Sequence, residues 1–351
     1  MSNLSLCSGA GTLDLAVEQI TGNETLVYSE NYPPAAKVME ARFPWATNLG
    51  DLKAIDWPAL AADHPHIDTV TAGFPCQGLS NAGLRKGLLD ARSALWKNVL
   101  EAVRVLRPRY VFLENVAAIR SRGLGEVVAD LAAIGYGIRW TCLRAGEAEV
   151  GAPHPRDRWF AVAYPAAQDP DSAAWRERWA AASAEAEGGR PWADPRGRGG
   201  VPAPRAAAGE DGLVLLPSPV VADVRGTRNY TANRRPGAVF NKGKTLTDFA
   251  WLLSDEAWIS VEGVDYGPAI RRWERILGRP APFPTEPGTR GNRRLTPLFV
   301  EWMQGCDEGW VTGLDLGRNA ELTILGNLAM TRQAVEGYRR LLCADLEAMA
   351  A

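Results

Sequence analysis

The feature that most constrains the fold is an alternation of short apolar runs with amphipathic stretches along residues 1–164. Short apolar runs bounded by turn-forming residues predict buried strands, and apolar residues spaced three or four apart predict helices. The predicted strands cover residues 4–7, 25–28, 69–72, 110–113 and 159–163, and the predicted helices include residues 34–42 and 95–106. Strands and helices that alternate in this way form a mostly parallel sheet covered by helices. The expected fold is therefore α/β, with a Rossmann-like sheet.

A second region begins near Pro165, where the amino-acid composition changes. Residues 166–212 are rich in Ala, Gly, Pro and Arg and lack apolar periodicity, which is typical of a loop-rich segment. Residues 213–290 contain many turn formers, order is expected to return at Leu295, and residues 327–349 have a helical pattern. We therefore predict a large domain formed by residues 1–165 and 319–351, and a smaller irregular domain over residues 166–318.

The cysteine pattern and the absence of long apolar runs exclude several classes of protein. The five cysteines of the 351-residue chain are far apart and form no CxxC pair, so neither a disulfide framework nor a metal site is expected. No apolar run reaches the roughly 18 residues of a membrane helix, and the N-terminus lacks the pattern of a secretion signal. These features predict a reduced, cytoplasmic protein without a membrane partner.

The charge is unevenly distributed along the chain. The net charge is −2, which is unusual for a nucleic-acid-binding protein. Between Arg190 and Thr247, however, ten Lys or Arg residues face four Asp or Glu residues. This basic stretch fits either a solvated loop or a contact with a polyanion, and its charge alone does not decide between them.

A glycine-bearing turn follows the first predicted strand. Residues 8–12 read Ser-Gly-Ala-Gly-Thr, and glycines at this place let a ligand approach the backbone closely. Glu30 ends the second strand, where a carboxylate suits a ribose diol. Either feature alone is also common in proteins that bind no nucleotide.

Cys76 lies in Gly73-Phe74-Pro75-Cys76-Gln77, directly after the third predicted strand. The carboxyl end of a parallel strand is where such sheets bind ligands, although most lone cysteines are small buried hydrophobes. The following residues, 78–92, are polar, basic and rich in glycine. They favour a mobile loop over a polyanion rather than core packing.

Two further groups of polar residues flank later strands. Glu114-Asn115-Val116 follows residues 110–113, so Glu114 is expected at the same sheet edge as Cys76 and could act with it as an acid. Arg156 and Arg158 precede the last predicted strand and point the same way if the segment is extended. They could bind a phosphate or a base carbonyl, or be ordinary surface arginines.

The order Ser-Gly-x-Gly, Pro-Cys-Gln, Glu-Asn-Val, Arg-x-Arg, Leu-Thr-Pro and Gly-Asn resembles the cytosine-5 DNA methyltransferase family of bacteria and phages. The resemblance spans nearly the whole chain except residues 166–290. It implies a catalytic domain and a small target-recognition domain, with double-stranded DNA in the cleft between them. It also implies a monomer that transfers methyl from S-adenosylmethionine to carbon 5 of a flipped cytosine. Whether a companion restriction enzyme exists, and which DNA sequence is the target, cannot be read from the chain.

The resemblance assigns a role to each motif residue. It makes Cys76 the nucleophile that attacks carbon 6, Glu114 the group at the N3 edge, and Arg158 the contact to the cytosine carbonyl. Pro75, Asn115 and Arg156 are expected to hold that geometry. The matches to cofactor-binding positions are Cys7, Gly9, Gly11, Thr12, Leu13, Glu30, Asn31, Asp51, Leu52, Pro75, Leu95 and Asn327.

Two sets of residues are predicted to contact DNA. The loop after the nucleophile contributes Gln77, Ser80, Arg85, Lys86 and Arg92. The basic stretch contributes Arg225, Arg228, Asn229, Arg234, Arg235, Lys242 and Lys244. An arginine can read guanine in the major groove or bind a phosphate, and both roles stay open.

Several positions depart from the family pattern. Ser5 stands where Asp is usual, and Cys7 where a Phe often packs on adenine. His154 replaces a Gln, Thr12 a glycine, and Asn31 an aromatic residue. These departures affect details of the cofactor pocket and leave Cys76, Glu114 and Arg158 unchanged.

Three alternative functions follow from the same residues. A cytosine-5 tRNA methyltransferase would usually carry a Cys-Phe-Thr element, which this chain lacks. A catalytically silent DNA-binding member would be expected to lack the cysteine or the glutamate. An unrelated cofactor-binding α/β protein would require the order of the motifs to be accidental.

Overall fold

The computed structural model describes residues 1–74, 95–166, 212–225, 245–250, 253, 258–261, 263–288 and 293–350. The strands are β1 (Ser2–Leu6), β2 (Glu24–Ser29), β3 (Thr47–Asn48), β4 (Ile67–Gly73), β5 (Tyr110–Val116), β6 (Tyr136–Arg144), β7 (Asp157–Pro165), β8 (Thr285–Pro287) and β9 (Arg293–Leu295). The helices are α1 (Thr12–Thr21), α2 (Pro33–Arg42), α3 (Trp57–Asp63), α4 (Leu95–Leu106), α5 (Ile119–Arg122), α6 (Leu124–Ala133), α7 (Leu246–Ala250), α8 (Gly267–Leu277), α9 (Pro297–Met303), α10 (Arg318–Asn327) and α11 (Thr331–Ala350).

A seven-stranded sheet in the order β3-β2-β1-β4-β5-β7-β6 forms the centre of the molecule. The strands from β3 to β5 are parallel, β7 runs antiparallel to β5, and β6 runs antiparallel to β7. The predicted α/β fold with a mostly parallel sheet is therefore confirmed.

The strand order creates a crevice at the carboxyl ends of β1 and β4. The chain adds β2 and β3 on one side of β1 and then crosses over to place β4 on the other side. At such a switch point the two connections leave in opposite directions, and the resulting gap is where open α/β sheets bind ligands. The turn after β1, the end of β4 and the end of β5 meet at this edge.

The structure corrects three details of the predicted elements. Strand β6 was missed because its nine residues alternate apolar side chains with Arg139 and Thr141, as suits a strand at the sheet edge. Strand β5 continues through Glu114, Asn115 and Val116, since β7 pairs with all three. The last helix begins at Thr331 rather than 327, because α10 ends at Asn327 and Leu328 is extended.

Order also begins earlier in the second region than the composition indicated. Helix α8 is strongly amphipathic, and it buries Trp273 and Ile270. These two side chains belong to the same apolar cluster as Phe299 of α9, Val17 of α1 and Tyr338 of α11. The described part of the second region thus shares a core with the sheet.

Helix α11 packs directly on the sheet through a glycine. A Cβ atom added to Gly337 would lie 2.6 Å from Cδ2 of Phe160 on β7. Tyr338, the next residue, packs edge-to-face against Phe112 of β5 and Phe160. The hydroxyl of Tyr338 donates to the Leu113 carbonyl over 3.1 Å. In the described part of the chain no helix is both long and apolar enough to span a membrane.

We expect Gly337→Ala to destabilise the protein by about 1–3 kcal/mol, because the added methyl would clash with Phe160. The helix-propensity gain of about 1 kcal/mol is too small to offset this clash. Gly125→Ala in α6 is the matched control, since nothing lies within 4 Å of its added Cβ. Urea unfolding of both variants measures the effect. A Gly337→Ala protein as stable as Gly125→Ala would contradict the close packing of α11.

Candidate active site

A cavity of about 540 Å³ lies at the crevice between β1 and β4. Its size falls within the usual range for small-molecule and cofactor sites. Its walls come from the turn after β1, the ends of β2, β4 and β5, the start of β7, and the C-terminal end of α10. The cavity therefore joins positions predicted for the cofactor with positions predicted for catalysis.

The turn after β1 takes left-handed backbone conformations that open it to the cavity. Cys7 has a φ of 55°, which is uncommon for a residue with a side chain, and its amide donates to the Ser29 carbonyl over 3.0 Å. Gly9 has a φ of 58°, and among the described residues beyond its chain neighbours no atom lies within 4 Å of the position of its missing Cβ. A ligand can thus approach the backbone at Gly9.

Gly11 has a different function in the same turn. Its φ is 75°, and a Cβ at this position would lie 2.3 Å from Cε2 of Phe43 and 2.8 Å from Sδ of Met39. Gly11 does not line the cavity. The position of its missing side chain faces the core between α1 and α2, which gives Gly11 a packing role, and its contact with a cofactor stays a prediction.

Glu30 and Asp51 lie at the opposite end of the cavity from the β5 carboxylate. Oε2 of Glu30 accepts from the Gly9 amide and Oε1 from the Tyr32 amide, each over 2.8 Å. Burial raises the pKa of Glu30, and these hydrogen bonds partly offset that rise. Asp51 caps the short 3-10 helix Leu52–Ala54 through the Lys53 amide. Both carboxylates keep acceptor capacity for a ligand.

The C-terminal part of the chain holds the turn from the other side. Oγ1 of Thr12 donates to the Ala329 carbonyl over 2.6 Å, and Oγ1 of Thr331 donates to the Thr12 carbonyl over 2.8 Å. Asn327, which precedes the residues that make these two hydrogen bonds, lines the cavity. A threonine in place of the usual glycine at position 12 therefore has a structural reason.

Trp310 is a further contact to the turn that the sequence analysis did not predict. Its indole Nε1 donates to the Ala10 carbonyl over 2.9 Å, and Arg42 stacks over its ring at 5.2 Å. The buried Glu301 carboxylate fixes the preceding turn by accepting from the amides of Gly309, Val311 and Thr312. No local sequence pattern predicts the contact between Trp310 and Ala10, since about 300 residues separate them in the chain.

Glu114 and Arg158 form an ion pair where β5 and β7 meet. Oε1 of Glu114 lies 2.9 Å from Nε of Arg158, and their side chains are 11% and 15% exposed. Both residues line the cavity. Burial raises the pKa of Glu114, and the guanidinium groups of Arg158 and Arg156 partly offset the rise. The pair is therefore buried but reachable from the cavity.

Asn115 connects this pair to the segment that carries Cys76. Its Nδ2 donates to the Phe74 carbonyl over 3.1 Å, and its Oδ1 accepts from the Val116 amide. The Phe74 ring packs 5.1 Å from the ring of Trp96 at the start of α4. Residues 74 and 95, which border the segment 75–94, both line the cavity.

Arg156, the companion of Arg158 in the Arg-x-Arg motif, lies outside the cavity. The side chain is buried and does not line the cavity. Its guanidinium donates to the carbonyls of Pro219, Gly326 and Leu328. These hydrogen bonds all go to main-chain carbonyls, which suits the positioning role expected for Arg156 beside Arg158.

His154 is buried two residues earlier, against helix α9. Its Nε2 lies 3.1 Å from the Met303 carbonyl, which requires a proton on that nitrogen. Burial, followed by the charge of Arg156, lowers the pKa of His154 to about 3. The ring is therefore neutral at physiological pH and connects the Arg-x-Arg segment to the segment after Leu295-Thr296-Pro297.

Most predicted site residues that the structure describes meet at the cavity. Those lining it are Cys7, Gly9, Thr12, Leu13, Glu30, Asn31, Asp51, Leu52, Leu95, Glu114, Asn115, Arg158 and Asn327. Outside the described residues lie Pro75, Cys76, Gln77, Ser80, Arg85, Lys86, Arg92, Arg228, Asn229, Arg234, Arg235, Lys242 and Lys244. Arg225 ends the short 3-10 helix Val221–Arg225, and its side chain is likewise outside the described part.

The described cysteines have environments that disfavour a thiolate. Burial raises the pKa of Cys7 and of Cys142 to about 12 and that of Cys306 above its usual range. For Cys7, the carboxylates of Glu30 and Asp51 add to this effect. Within the described ranges, no three His, Cys, Asp or Glu side chains are grouped closely enough to hold a metal ion.

The fold and cavity define the class of protein as a Rossmann-like α/β protein with a cofactor-sized site at the switch point of its sheet. Residues 1–187 match the family described as C-5 cytosine-specific DNA methylase. Since the match covers more than half of the 351 residues, the chain belongs to the C-5 cytosine-specific DNA methylase family. The predicted family resemblance is confirmed.

Individual relatives match over less than half of the chain. The type II methyltransferase M.CviJI of Paramecium bursaria Chlorella virus IL3A is 36% identical over 131 residues, which are 37% of this chain and 34% of the relative. The type II methyltransferase M.NlaX of Neisseria lactamica is 30% identical over 166 residues, which are 46% and 51%. The alignment thus spans about a third to a half of these relatives.

Solved structures match over almost the entire chain at low sequence identity. The Dnmt2 methyltransferase of S. pombe has a TM-score of 0.55 and 16% identity, with 99% of both chains covered. The Entamoeba histolytica methyltransferase EhMeth has a TM-score of 0.55 and 17% identity, with 99% of this chain and 98% of that chain covered. At such identities these matches support the fold alone.

We expect Gly9→Ala and Gly11→Ala to affect different properties. Each replacement places a side chain at a left-handed φ, which costs about 1–2 kcal/mol. Gly11→Ala also clashes with Phe43 and Met39, so it should lower the free energy of unfolding further. Gly9→Ala projects its methyl into the cavity, so it should mainly weaken ligand binding. Urea unfolding and calorimetric titration with S-adenosylhomocysteine separate the two, and equal binding losses at similar stability would contradict this division.

Proposed function

We propose that the protein transfers a methyl group from S-adenosylmethionine to carbon 5 of a cytosine in duplex DNA. The observation that carries this proposal is the Glu114–Arg158 pair, which opens onto a cofactor-sized cavity in a chain of the C-5 cytosine-specific DNA methylase family. The same cavity borders both ends of the segment that contains Pro75 and Cys76.

The residues of the cavity fit S-adenosylmethionine, which family members use. The Glu30 carboxylate stands at the end of β2, where a ribose diol binds in sheets of this kind, and Asp51 lies nearby for the adenine amino group. The open backbone at Gly9 gives room for close approach of the ligand. When bound, the cofactor supplies the electrophilic methyl group.

Cys76 is proposed as the nucleophile, as the family motif implies. Its thiolate would form a bond to carbon 6 of a flipped cytosine, and the electron pair of the carbon 5–carbon 6 double bond would move to carbon 5, which takes the methyl group. Loss of the proton from carbon 5 to a base would then restore the double bond and expel the Cys76 thiolate. The buried thiols of Cys7, Cys142 and Cys306 are poor candidates because their raised pKa values keep them protonated. Cys76 follows Phe74 by two residues, and Asn115 holds the Phe74 carbonyl beside Glu114.

Glu114 and Arg158 are proposed to bind the polar edge of the cytosine. Because burial raises the pKa of Glu114, its carboxyl can take up a proton once the base displaces Arg158 from it, and the protonated form can donate a hydrogen bond to N3 and draw electron density from carbon 6. Arg158 keeps donors that can reach the cytosine carbonyl oxygen next to this contact. Binding of the base would therefore exchange the ion pair for contacts to the base.

Double-stranded DNA is the proposed partner, bound in the cleft between a catalytic domain (residues 1–165 and 319–351) and a target-recognition domain (residues 166–318). The loop after Cys76 would close over the flipped base, and the basic stretch between Arg190 and Thr247 would contact the duplex. The similarity to type II methyltransferases supports a role in restriction-modification.

The direct test is incorporation of a labelled methyl group from S-adenosylmethionine into mixed-sequence duplex DNA. We expect labelling by the wild type, none by Cys76→Ala, and a loss of at least a hundredfold in Glu114→Gln, which keeps the shape but cannot act as the same acid. Bisulfite sequencing should place 5-methylcytosine in one sequence context.

The matched control is Cys142→Ala, whose thiol lies on β6 away from the cavity lining and should leave the rate unchanged. Transfer to RNA but not to duplex DNA would contradict the proposed substrate. Equal transfer by wild type and Cys76→Ala would contradict the proposed nucleophile.

A further inference from the structure

A buried polar cluster forms the floor of the cavity below the turn after β1. Thr69 and Thr71 donate to Oδ1 of Asn3 over 3.0 and 2.9 Å, and Nδ2 of Asn3 donates to Oγ1 of Thr25 over 3.0 Å. The Ser5 hydroxyl donates to the Ser8 hydroxyl over 2.7 Å. The hydrogen-bonding capacity of these groups is therefore largely used within the cluster.

Among the described residues, Asp14, in the first turn of α1, lies in this cluster without a cationic partner. Its side chain is fully buried, Nδ2 of Asn3 donates to its Oδ1 over 3.5 Å, and the Ser5 hydroxyl is a second hydrogen-bond partner. Among the described residues, no donor lies within hydrogen-bond distance of its Oδ2. Burying a carboxylate without a partner of opposite charge is costly, so the position requires a reason beyond packing.

The cavity is where the missing partner can enter. Asp14 lines it, together with Ser5, Ser8 and Thr71 of the same cluster. A group that satisfies Oδ2 should be positively charged and should carry N–H donors, since a neutral donor would leave the carboxylate charge uncompensated. The ligand of the cavity is thus expected to bring a cation to this floor.

One group of the proposed cofactor fits this requirement. Its adenosine part is assigned to Glu30 and Asp51, and its methyl group must face the Glu114–Arg158 end of the cavity. The sulfonium carries a charge but no N–H donor. The α-ammonium of its amino-acid tail has both the charge and three donors.

We propose that the Asp14 carboxylate binds the α-ammonium group of the methyl donor, and that this residue makes the site selective for a donor with an amino-acid tail. The inference rests on the proposed function, because it assumes that S-adenosylmethionine occupies the cavity. The polar contacts of Asn3 and Ser5 hold the cluster in place around the carboxylate.

The charge state of Asp14 gives the site a pH dependence. Burial raises the pKa of Asp14 to about 7, with a smaller opposing effect of the Ser5 hydroxyl and a further rise from Glu18 on the same helix. The Tyr338 hydroxyl of α11 also faces it, and the pKa of that group lies well above its usual value, so it stays neutral. Because the ammonium binds the ionised carboxylate, affinity should rise roughly tenfold between pH 6 and pH 8.

The test is calorimetric titration with two probes that differ only in the tail. S-adenosylhomocysteine carries the α-ammonium, whereas 5′-methylthioadenosine has the same nucleoside and a thioether without the tail. We expect Asp14→Asn to weaken S-adenosylhomocysteine by at least tenfold and to change methylthioadenosine by less than twofold. Retained methylthioadenosine binding also shows that the variant pocket is folded.

A third probe, which lacks only the α-ammonium group, tests the proposal on the wild-type protein as well as on the variant. The deaminated analogue of S-adenosylhomocysteine should bind the wild type weakly, lose the rise in affinity between pH 6 and pH 8, and bind Asp14→Asn as well as it binds the wild type. Equal losses for both probes in Asp14→Asn, or no loss for S-adenosylhomocysteine, would overturn the inference. Failure of the wild type to bind S-adenosylhomocysteine would instead contradict the proposed function.

Discussion

The buried guanidinium of Arg156 is the constraint on which the arrangement of the active-site edge depends. A charged side chain that is 3% exposed must find partners, because leaving it unpaired in the interior costs several kcal/mol. Its partners are main-chain carbonyls of Pro219, Gly326 and Leu328, which belong to two distant segments. Satisfying this one cation therefore brings the second region and the C-terminal segment to the start of β7.

The same connections position the turn after β1. The C-terminal segment that accepts from Arg156 at Leu328 continues to Ala329, which accepts from Thr12. Gln333, one turn into α11, donates to the main-chain carbonyls of Leu143 and Arg156. The turn after β1 and the segment before α11 thus meet at the carboxyl edge of the sheet. Together they enclose the cavity, which the strand ends alone would leave open.

Much of the fold and of the candidate site could be predicted from the sequence. Glu30 follows β2 and Glu114 lies near the end of β5, so the topology alone brings them to one edge of the sheet, and both line the cavity. The strands were predictable where apolar residues were continuous. Strand β6 was not, because an edge strand tolerates alternating polar residues and so resembles a loop in a single sequence.

The remaining site residues depend on contacts between distant parts of the chain. Trp310 and Ala10 are 300 positions apart, and no local pattern relates them. Arg156 was expected to support Arg158, but its own partners could not be predicted, because Pro219 and Leu328 are 63 and 172 positions away. Asp14 resembles an ordinary acidic residue at a helix N-terminus, and only its burial distinguishes it.

The electrostatics divides the cavity into parts with different chemistry. At one end Glu30 and Asp51 offer acceptors, and at the other the Glu114–Arg158 pair offers one acid and one cation. Between them, the raised pKa of Cys7 keeps that thiol neutral although it lines the cavity. This separation fits a site in which the methyl donor and the cytosine meet only at the Glu114–Arg158 end, beside the segment that contains Cys76.

The most direct measurement of the central claim is covalent trapping on a duplex that contains 5-fluorocytosine, followed by mass analysis of the digested protein. Fluorine at carbon 5 prevents the adduct from resolving, so the account predicts a cofactor-dependent complex with the base attached to the peptide of Cys76. The Glu114→Gln protein should form this complex much more slowly. Attachment at Cys7, Cys142 or Cys306, or a duplex that is bound but never attached, would contradict the account.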